Sequence, residues 1–461
     1  MRHDHVSISR LFAILVPGGL LALLSSTVTG VALPHILADL GDDIASGQWI
    51  TTAYLLAAGL AIPVASWAGT RFGLRSTWLT AMLLFALGAL AGLFARDIWS
   101  LTAARALQGF GGGALEPLMV TTLAAATPPE RMGRTMGAMA VVMEIGPLLG
   151  PTLGGAAVDV AGWRSIYVGF ALASAVMLTA GAFVLRRGER HAAPLDGIGL
   201  AIVSMALIAG LWGLARAATP AGFDMPTLAA LIFAGAAFLG FVQHSRRLGA
   251  RSILNLETFA RPGFTVGIAI MALLGATIFP LFFSLPQFYQ GVCRLSPLAA
   301  GMLMIPYGVG TLATMPLMGH LSDRVATQRI VGSGAALSLL AFTALFLAGS
   351  TLSVAGLGVL SLVTGIGLGA IASPTVSAVY RVLPPALTAS GSTILFIVLQ
   401  LGGAFGVALL VLLIGHGAWT AAVGTWPFLL PIATALVIAI MSVRLPSTNA
   451  MMLTVQDARP S

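Results

Sequence analysis

One arginine and two glutamates stand inside long apolar stretches of this sequence: Arg105 and Glu116 in the stretch 99–122, and Glu144 in 135–158. An apolar surrounding disfavours a charged carboxyl, so such a group can load and release a proton near neutral pH. At 1.5 Å per helical residue, Glu116 lies about 10 Å from one end of its stretch, and Glu144 roughly 14 Å from the adjoining end of the next. At comparable depth on successive helices, two such carboxyls can titrate as a pair. Arg105 and Glu116 are eleven residues, three turns, apart, so they share a face without touching. Plainer readings stay open. Each glutamate can be a protonated, hydrogen-bonded structural side chain, and Glu144 shares a stripe with Pro147, Pro151 and Gly154 that can face a packing seam. Arg105, about six residues inside its stretch, can line a watery pathway, meet a buried partner or snorkel to the interface.

The elements holding these residues are membrane helices. Hydrophobic residues fill 58% of 461 positions and charged ones 8%, against about 25% charged in a soluble domain; lipid must solvate much of the surface. Apolar segments recur at 11–33, 49–69, 76–95, 99–122, 135–158, 165–185, 196–214, 226–244, 264–288, 297–318, 329–349, 353–378, 390–414 and 426–444. Fourteen spans put both termini on one side. All 23 basic residues are arginine. With the termini inside, eighteen fall in cytoplasmic segments and four in outer loops, which fixes the orientation. The same bias explains the basic pI without a nucleic-acid partner, since no basic stretch is interleaved with aromatics. The run Leu11–Leu33 is too long for a signal-peptide core and is read as a retained first span. The lone Cys293 excludes an intramolecular disulfide and any multi-cysteine metal site. His3 and His5 flank Asp4 in a short tail, a weak pattern for a metal, and no metal or other cofactor is expected.

The chain repeats itself. Pro63-Val-Ala-Ser-Trp-Ala-Gly-Thr-Arg71 aligns with Pro316-Leu-Met-Gly-His-Leu-Ser-Asp-Arg324, 253 residues later, and Pro128-Pro129 aligns with Pro384-Pro385 at an offset of 256. These offsets predict an all-α transmembrane fold of two pseudo-symmetric six-helix bundles, 1–190 and 251–461, with two helices inserted in 191–250. Repeated halves are a common build of secondary transporters, whose substrate binds between them. One chain then holds both halves of a pathway, so a monomer is expected, with membrane lipid and a small molecule as partners.

Two segments are dense in glycine. The fourth reads Arg105-Ala-Leu-Gln108-Gly109-Phe-Gly111-Gly-Gly113 and ends in Glu116-Pro117; its glycines let helix backbones approach closely. The fifth reads Gly146-Pro147-Leu-Leu-Gly150-Pro151-Thr-Leu-Gly154-Gly155, either a moving, gating interface or a static kink. Ser25, Gln108, Gln287, Tyr289, Tyr307 and Gln400 are polar candidates for a substrate cavity. Tyr289 and its neighbour Gln290 equally suit the outer interface. Met302, Met304 and Met315 suit an adaptable apolar pocket, although methionine at helical spacing is more often core.

These motifs together resemble the major facilitator superfamily, in its fourteen-helix drug:proton antiporter family. Arg105, Gln108, Gly109 and Gly111 resemble the superfamily's motif in helix 4, and Gly146 to Gly155 its antiporter motif in helix 5. Gly319-His-Leu-Ser-Asp323-Arg324 resembles a gating loop whose first-half copy ends at Arg71. Trp163-Arg164, Leu285-Pro286-Gln287-Phe-Tyr-Gln290 and Gln400-Leu-Gly402-Gly403 are similar as well. The likeness runs from about Leu11 to Leu445. It implies proton-coupled export of amphipathic small molecules, cationic or neutral, as in multidrug efflux and drug resistance, from a bacterial inner membrane. The chain departs from that pattern in helix 1. Ser25 stands where an aspartate is expected, and Gly30 replaces an asparagine. In the first gating loop Thr70 and Ser66 replace the usual aspartate and glycine. A differently coupled or uncoupled facilitator is therefore a second reading. An enzyme, an ATP-driven pump or a sensor is disfavoured. There is no lysine for a phosphate loop, no His-Glu-x-x-His, no Gly-x-Ser-x-Gly and no soluble readout domain.

Overall fold

The computed structural model describes residues 8–127, 132–185, 195–219, 222–322, 324–384, 387–414 and 425–445. His3, Asp4, His5, Asp323, Pro128-Pro129 and Pro385 lie outside these residues. In chain order the α-helices begin with α1 (Ile8–Leu40), α2 (Ile44–Phe72), α3 (Leu74–Leu93), α4 (Ile98–Ala126) and α5 (Met132–Ala161). Next come α6 (Arg164–Val184), α7 (Gly197–Ala217), α8 (Met225–Leu248), α9 (Pro262–Gly291) and α10 (Pro297–Met302). The last are α11 (Ile305–Leu321), α12 (Thr327–Ala348), α13 (Val354–Arg381), α14 (Thr388–Ile414) and α15 (Leu429–Ser442).

The segment expected as one helix over 297–318 is broken between α10 and α11. Pro306 has no N–H to offer the carbonyl of Met302, so the helix cannot run through. With that pair counted as one span, fourteen helices are present among the described residues, and eleven stretches are long and apolar enough to cross a membrane. Several helices outrun their apolar segments because polar caps start them: Asp43 accepts from the Ser46 N–H at 2.8 Å at the head of α2. α8 is the barest, with only 11% of its apolar span buried. Its outward Ile232, Phe233 and Leu239 therefore need lipid as solvent.

The chain forms two compact units, one of residues Met1–Leu195 with Ser296–Met302, the other of Asp196–Leu295 with Leu303–Ser461. Their interiors repeat at the offsets seen in the sequence. In the first unit a side chain on Gly109 of α4 would meet the backbone of Tyr54 in α2, and one on Gly113 that of Ala58. In the second, Gly365 and Gly369 of α13 lie against the backbone of Tyr307 and Thr311 in α11. Gly111 packs on Ala81 and Phe85 of α3, and Gly367 on Gly334 and Ser338 of α12. Each glycine is 256 residues from its counterpart and each partner 253. Missing Cβ atoms thus fix the same helix sandwich twice.

Within the second unit, α7 packs on α8 and α14. Asp196 fastens this hairpin at one end. Its carboxylate accepts from the Gly199 N–H at 2.8 Å and the Ile253 N–H at 3.4 Å, and lies 2.8 Å from His244 Nε2. Burial pushes the Asp196 carboxyl up, but the hydrogen bonds from His244, Gly199 and Ile253 outweigh it and hold it below the ordinary value. A lowered folded-state pKa stabilises the fold above the ordinary carboxylate range, and that stability is lost as pH falls through the folded value. Asp196→Asn is expected to lower the melting temperature at pH 7 and to flatten its fall below about pH 4. An unchanged acid slope in a melting series would contradict this staple.

Candidate functional site

The glycines of α4 give each of its faces one neighbour. Gly109 and Gly113, four residues apart, face α2; Gly111 faces α3, where Gly88 in turn abuts the backbone of Gln108. Gly112 faces the Tyr54 hydroxyl and Ala22 of α1, with room for no side chain: a Cβ would come 2.6 Å from the Tyr54 Oη. Arg105 is left pointing into the junction of α1, α2 and α4.

Arg105 is 1% exposed, and its hydrogen-bond partners among the described residues are all neutral. Nη1 donates to Ser25 Oγ at 2.7 Å and to Gln108 Oε1 at 2.8 Å, Nη2 to the Ser25 carbonyl at 2.9 Å, and Nε to the Ile50 carbonyl at 3.3 Å. The guanidinium carbon stands 4.2 Å from the centroid of the Tyr54 ring. Its π face and the carbonyl dipoles offset part of the cost of burying a cation. Arg105 has a buried partner set rather than a snorkelling pose.

Glu116 lies one turn beyond Gly112, is 7% exposed, and makes no hydrogen bond or ion pair with the described residues. Tyr54 bridges the interval between it and Arg105. Its ring covers the guanidinium, and its hydroxyl donates to the Ala22 carbonyl at 2.8 Å, beside Gly112. The motifs did not single out Tyr54. It was within reach all the same: it is one of five tyrosines, and it stands 253 residues before Tyr307, the offset of the proline repeat.

Glu144 belongs to α5, but its side chain lies outside the described residues. The glycine stripe of α5 is closely packed. Gly146, Gly150 and Gly154 meet Leu23, Thr27 and Val28 of α1, while Gly155 meets Pro297 and Leu298 of α10. Gly301 of α10 abuts Pro151, and Thr152 Oγ1 donates to its carbonyl at 3.1 Å. Asp159 accepts from the Leu298 N–H at 3.0 Å. Pro147 sits one residue past Gly146 in the same helix. Of the gating residues, Arg71 in the last turn of α2 and Arg324 just past α11 are both exposed.

The second unit holds the remaining candidates, all buried. Gln287 donates to the Phe283 carbonyl at 2.6 Å, and the buried Tyr289 hydroxyl sits 2.9 Å from Ser361 Oγ. Tyr307 packs edge-on to Phe282 at 5.4 Å, and the buried Gln400 Oε1 has no hydrogen-bond partner among the described residues. At the repeat offset of 256, Ser361 occupies the place of Arg105, and Ala372 that of Glu116. Among the described residues the helices of the second unit bury no charged side chain. Its buried Asp196 stands just before α7, so the buried charges carried within described helices, Arg105 and Glu116, belong to the first unit.

Fourteen helices in two repeated units are a common build of secondary transporters. The profile of the Major Facilitator Superfamily matches residues 15–407, and the chain belongs to that superfamily. It is 32% identical over 416 residues to a Multidrug resistance protein B homolog of Mycobacterium tuberculosis, covering 89% of this chain and 77% of that one. It is 28% identical to the Tetracenomycin C resistance and export protein of Streptomyces glaucescens, over 85% of this chain and 73% of that one. In fold it matches the xylose transporter XylE from E. coli in a partially occluded inward open conformation, with a TM-score of 0.67 at 14% identity, over 96% and 98% of the two chains.

Proposed function

We propose that this chain is a proton-coupled exporter of small amphipathic molecules, working by alternating access in a bacterial inner membrane with both termini cytoplasmic. The observation that carries the coupling is Glu116, a buried carboxyl with no hydrogen bond or ion pair among the described residues, on the helix that also holds Arg105. Such a group can be protonated from one side and discharged on the other, and a bound molecule changes its readiness to ionise. Bacterial relatives named for multidrug resistance and for tetracenomycin C resistance and export support the direction and the substrate class. Gly146, Pro147, Gly150, Pro151 and Gly154 are the seam along which α5 moves; Arg71, Asp323 and Arg324 latch the cytoplasmic side.

Proteoliposomes test this reading. An imposed pH gradient should drive an amphipathic dye against its own gradient, and dissipating it with an ionophore should stop uptake. Mere equilibration, indifferent to the pH gradient, would favour the facilitator reading that Ser25 and Thr70 suggest. Orientation has its own check. Cys293, in the turn after α9 and partly exposed, should react with an impermeant maleimide added to intact cells. Labelling only after the membrane is opened would reverse the topology.

A further inference from the structure

We infer that this transporter selects neutral and anionic amphipathic molecules over cationic ones, and that Ser25 sets this preference. The inference rests on the reading as a carrier of small amphipathic molecules, but not on proton coupling. Arg105 is a permanently charged guanidinium buried against two hydroxyl-bearing side chains, an amide and two carbonyls, with no carboxylate among the described residues to cancel it. The position that touches it most closely, Ser25 Oγ at 2.7 Å, is where a carboxylate would form an ion pair; serine contributes no charge at any pH. Among the described residues the one buried charged side chain of the second unit, Asp196, stands at the head of α7 and is taken up by Gly199, His244 and Ile253, so it does not make up the difference. Protonation of Glu116, or of Glu144, changes the total charge of the interior. In every such state it is one unit more positive than with an acid at position 25. With Glu116 ionised and Glu144 neutral, Arg105 and Glu116 cancel and the interior is neutral; with both protonated it is net positive. Only with both glutamates ionised is this set net negative, by one charge; in the proton-loaded states a cation finds no negative field to replace water, whereas an anionic head meets a positive charge. Two unit charges about 10 Å apart at an effective dielectric of about 20 shift binding by on the order of tenfold.

Three amphipathic dyes of matched size test it, one with a quaternary ammonium head, one uncharged and one with a sulfonate. Their binding to the purified full chain is read by fluorescence polarisation and their movement in proteoliposomes. Wild-type protein should bind the sulfonate or the neutral dye about tenfold more tightly than the ammonium dye. Ser25→Asp, which places a carboxylate on Arg105, should remove or reverse that ratio, while Ser25→Asn, polar but uncharged, should keep it. Tight ammonium binding by the wild type overturns the inference, as does failure of all three dyes to bind it. An equal shift from Asp and Asn overturns the role of charge at Ser25. Dyes that bind with the expected preference but never cross the bilayer would sink the transport reading and leave the charge preference standing.

Discussion

Glu116→Gln is expected to reduce pH-driven transport to the level of empty liposomes while substrate exchange at equal pH partly survives. Glutamine keeps the shape and hydrogen-bonding reach of a protonated glutamate but can never ionise. The variant therefore stays locked in the proton-loaded charge state, with Arg105 as the remaining interior charge of the pair. Exchange needs no net proton movement, so it persists to the extent that this state still binds substrate. The site tolerates the change, because Glu116 makes no hydrogen bond or ion pair among the described residues that the amide would break. An unchanged melting curve should accompany the loss. Glu144→Gln is expected to have a smaller effect, in keeping with an assisting role. If both variants, singly and together, leave the pH dependence intact, the proton travels elsewhere or not at all.

The second large effect is on folding. Gly113→Ala is expected to abolish recovery of monodisperse protein, whereas Gly369→Ala, its counterpart 256 residues later, should cost little. A Cβ on Gly113 would run into the carbonyl oxygen, carbonyl carbon and Cα of Ala58, backbone atoms that cannot rotate aside. α2 and α4 would have to separate along their whole contact, undoing the seat of Arg105. The same Cβ on Gly369 comes no closer than 3.2 Å to Thr311 and Thr314, a gap that a few tenths of an ångström of movement relieves. Overpacking a tight interface typically costs about 1–3 kcal/mol and more where nothing can yield. Size-exclusion profiles and melting temperatures of the two variants decide the matter; equal damage from both would contradict close backbone approach as the reason for glycine.

Much of this was legible in the residues. Apolar segment lengths gave the fourteen helices, and the offsets of 253 and 256 gave two repeated halves. Those offsets held down to individual contacts, because a glycine and the backbone it admits must move together when a unit is duplicated. The break at Leu303–Met304 was not read, since Pro306 near a segment end passes for an ordinary first-turn proline. Hydropathy likewise could not say which way a polar side chain in a helix points. It gave no sign that the Tyr289 hydroxyl meets Ser361. It also gave no sign that Arg105 closes onto Ser25, a contact spanning 80 residues. Tyr54 escaped notice because an aromatic among apolar neighbours carries no polar pattern, and its part is visible only where its ring meets the guanidinium.

The most direct test of the central claim is the change in bound protons on substrate binding, measured with a pH indicator in a weakly buffered solution of the purified protein. Saturating amounts of a transported dye should change the protons bound by up to one per protein, with uptake for an anionic head and release for a cationic one, because the nearby charge favours the neutral or the ionised carboxyl respectively. Glu116→Gln should show no change with either. Saturation of the wild type with no change in bound protons at any pH, or an equal change in Glu116→Gln, would contradict Glu116 as the coupling group.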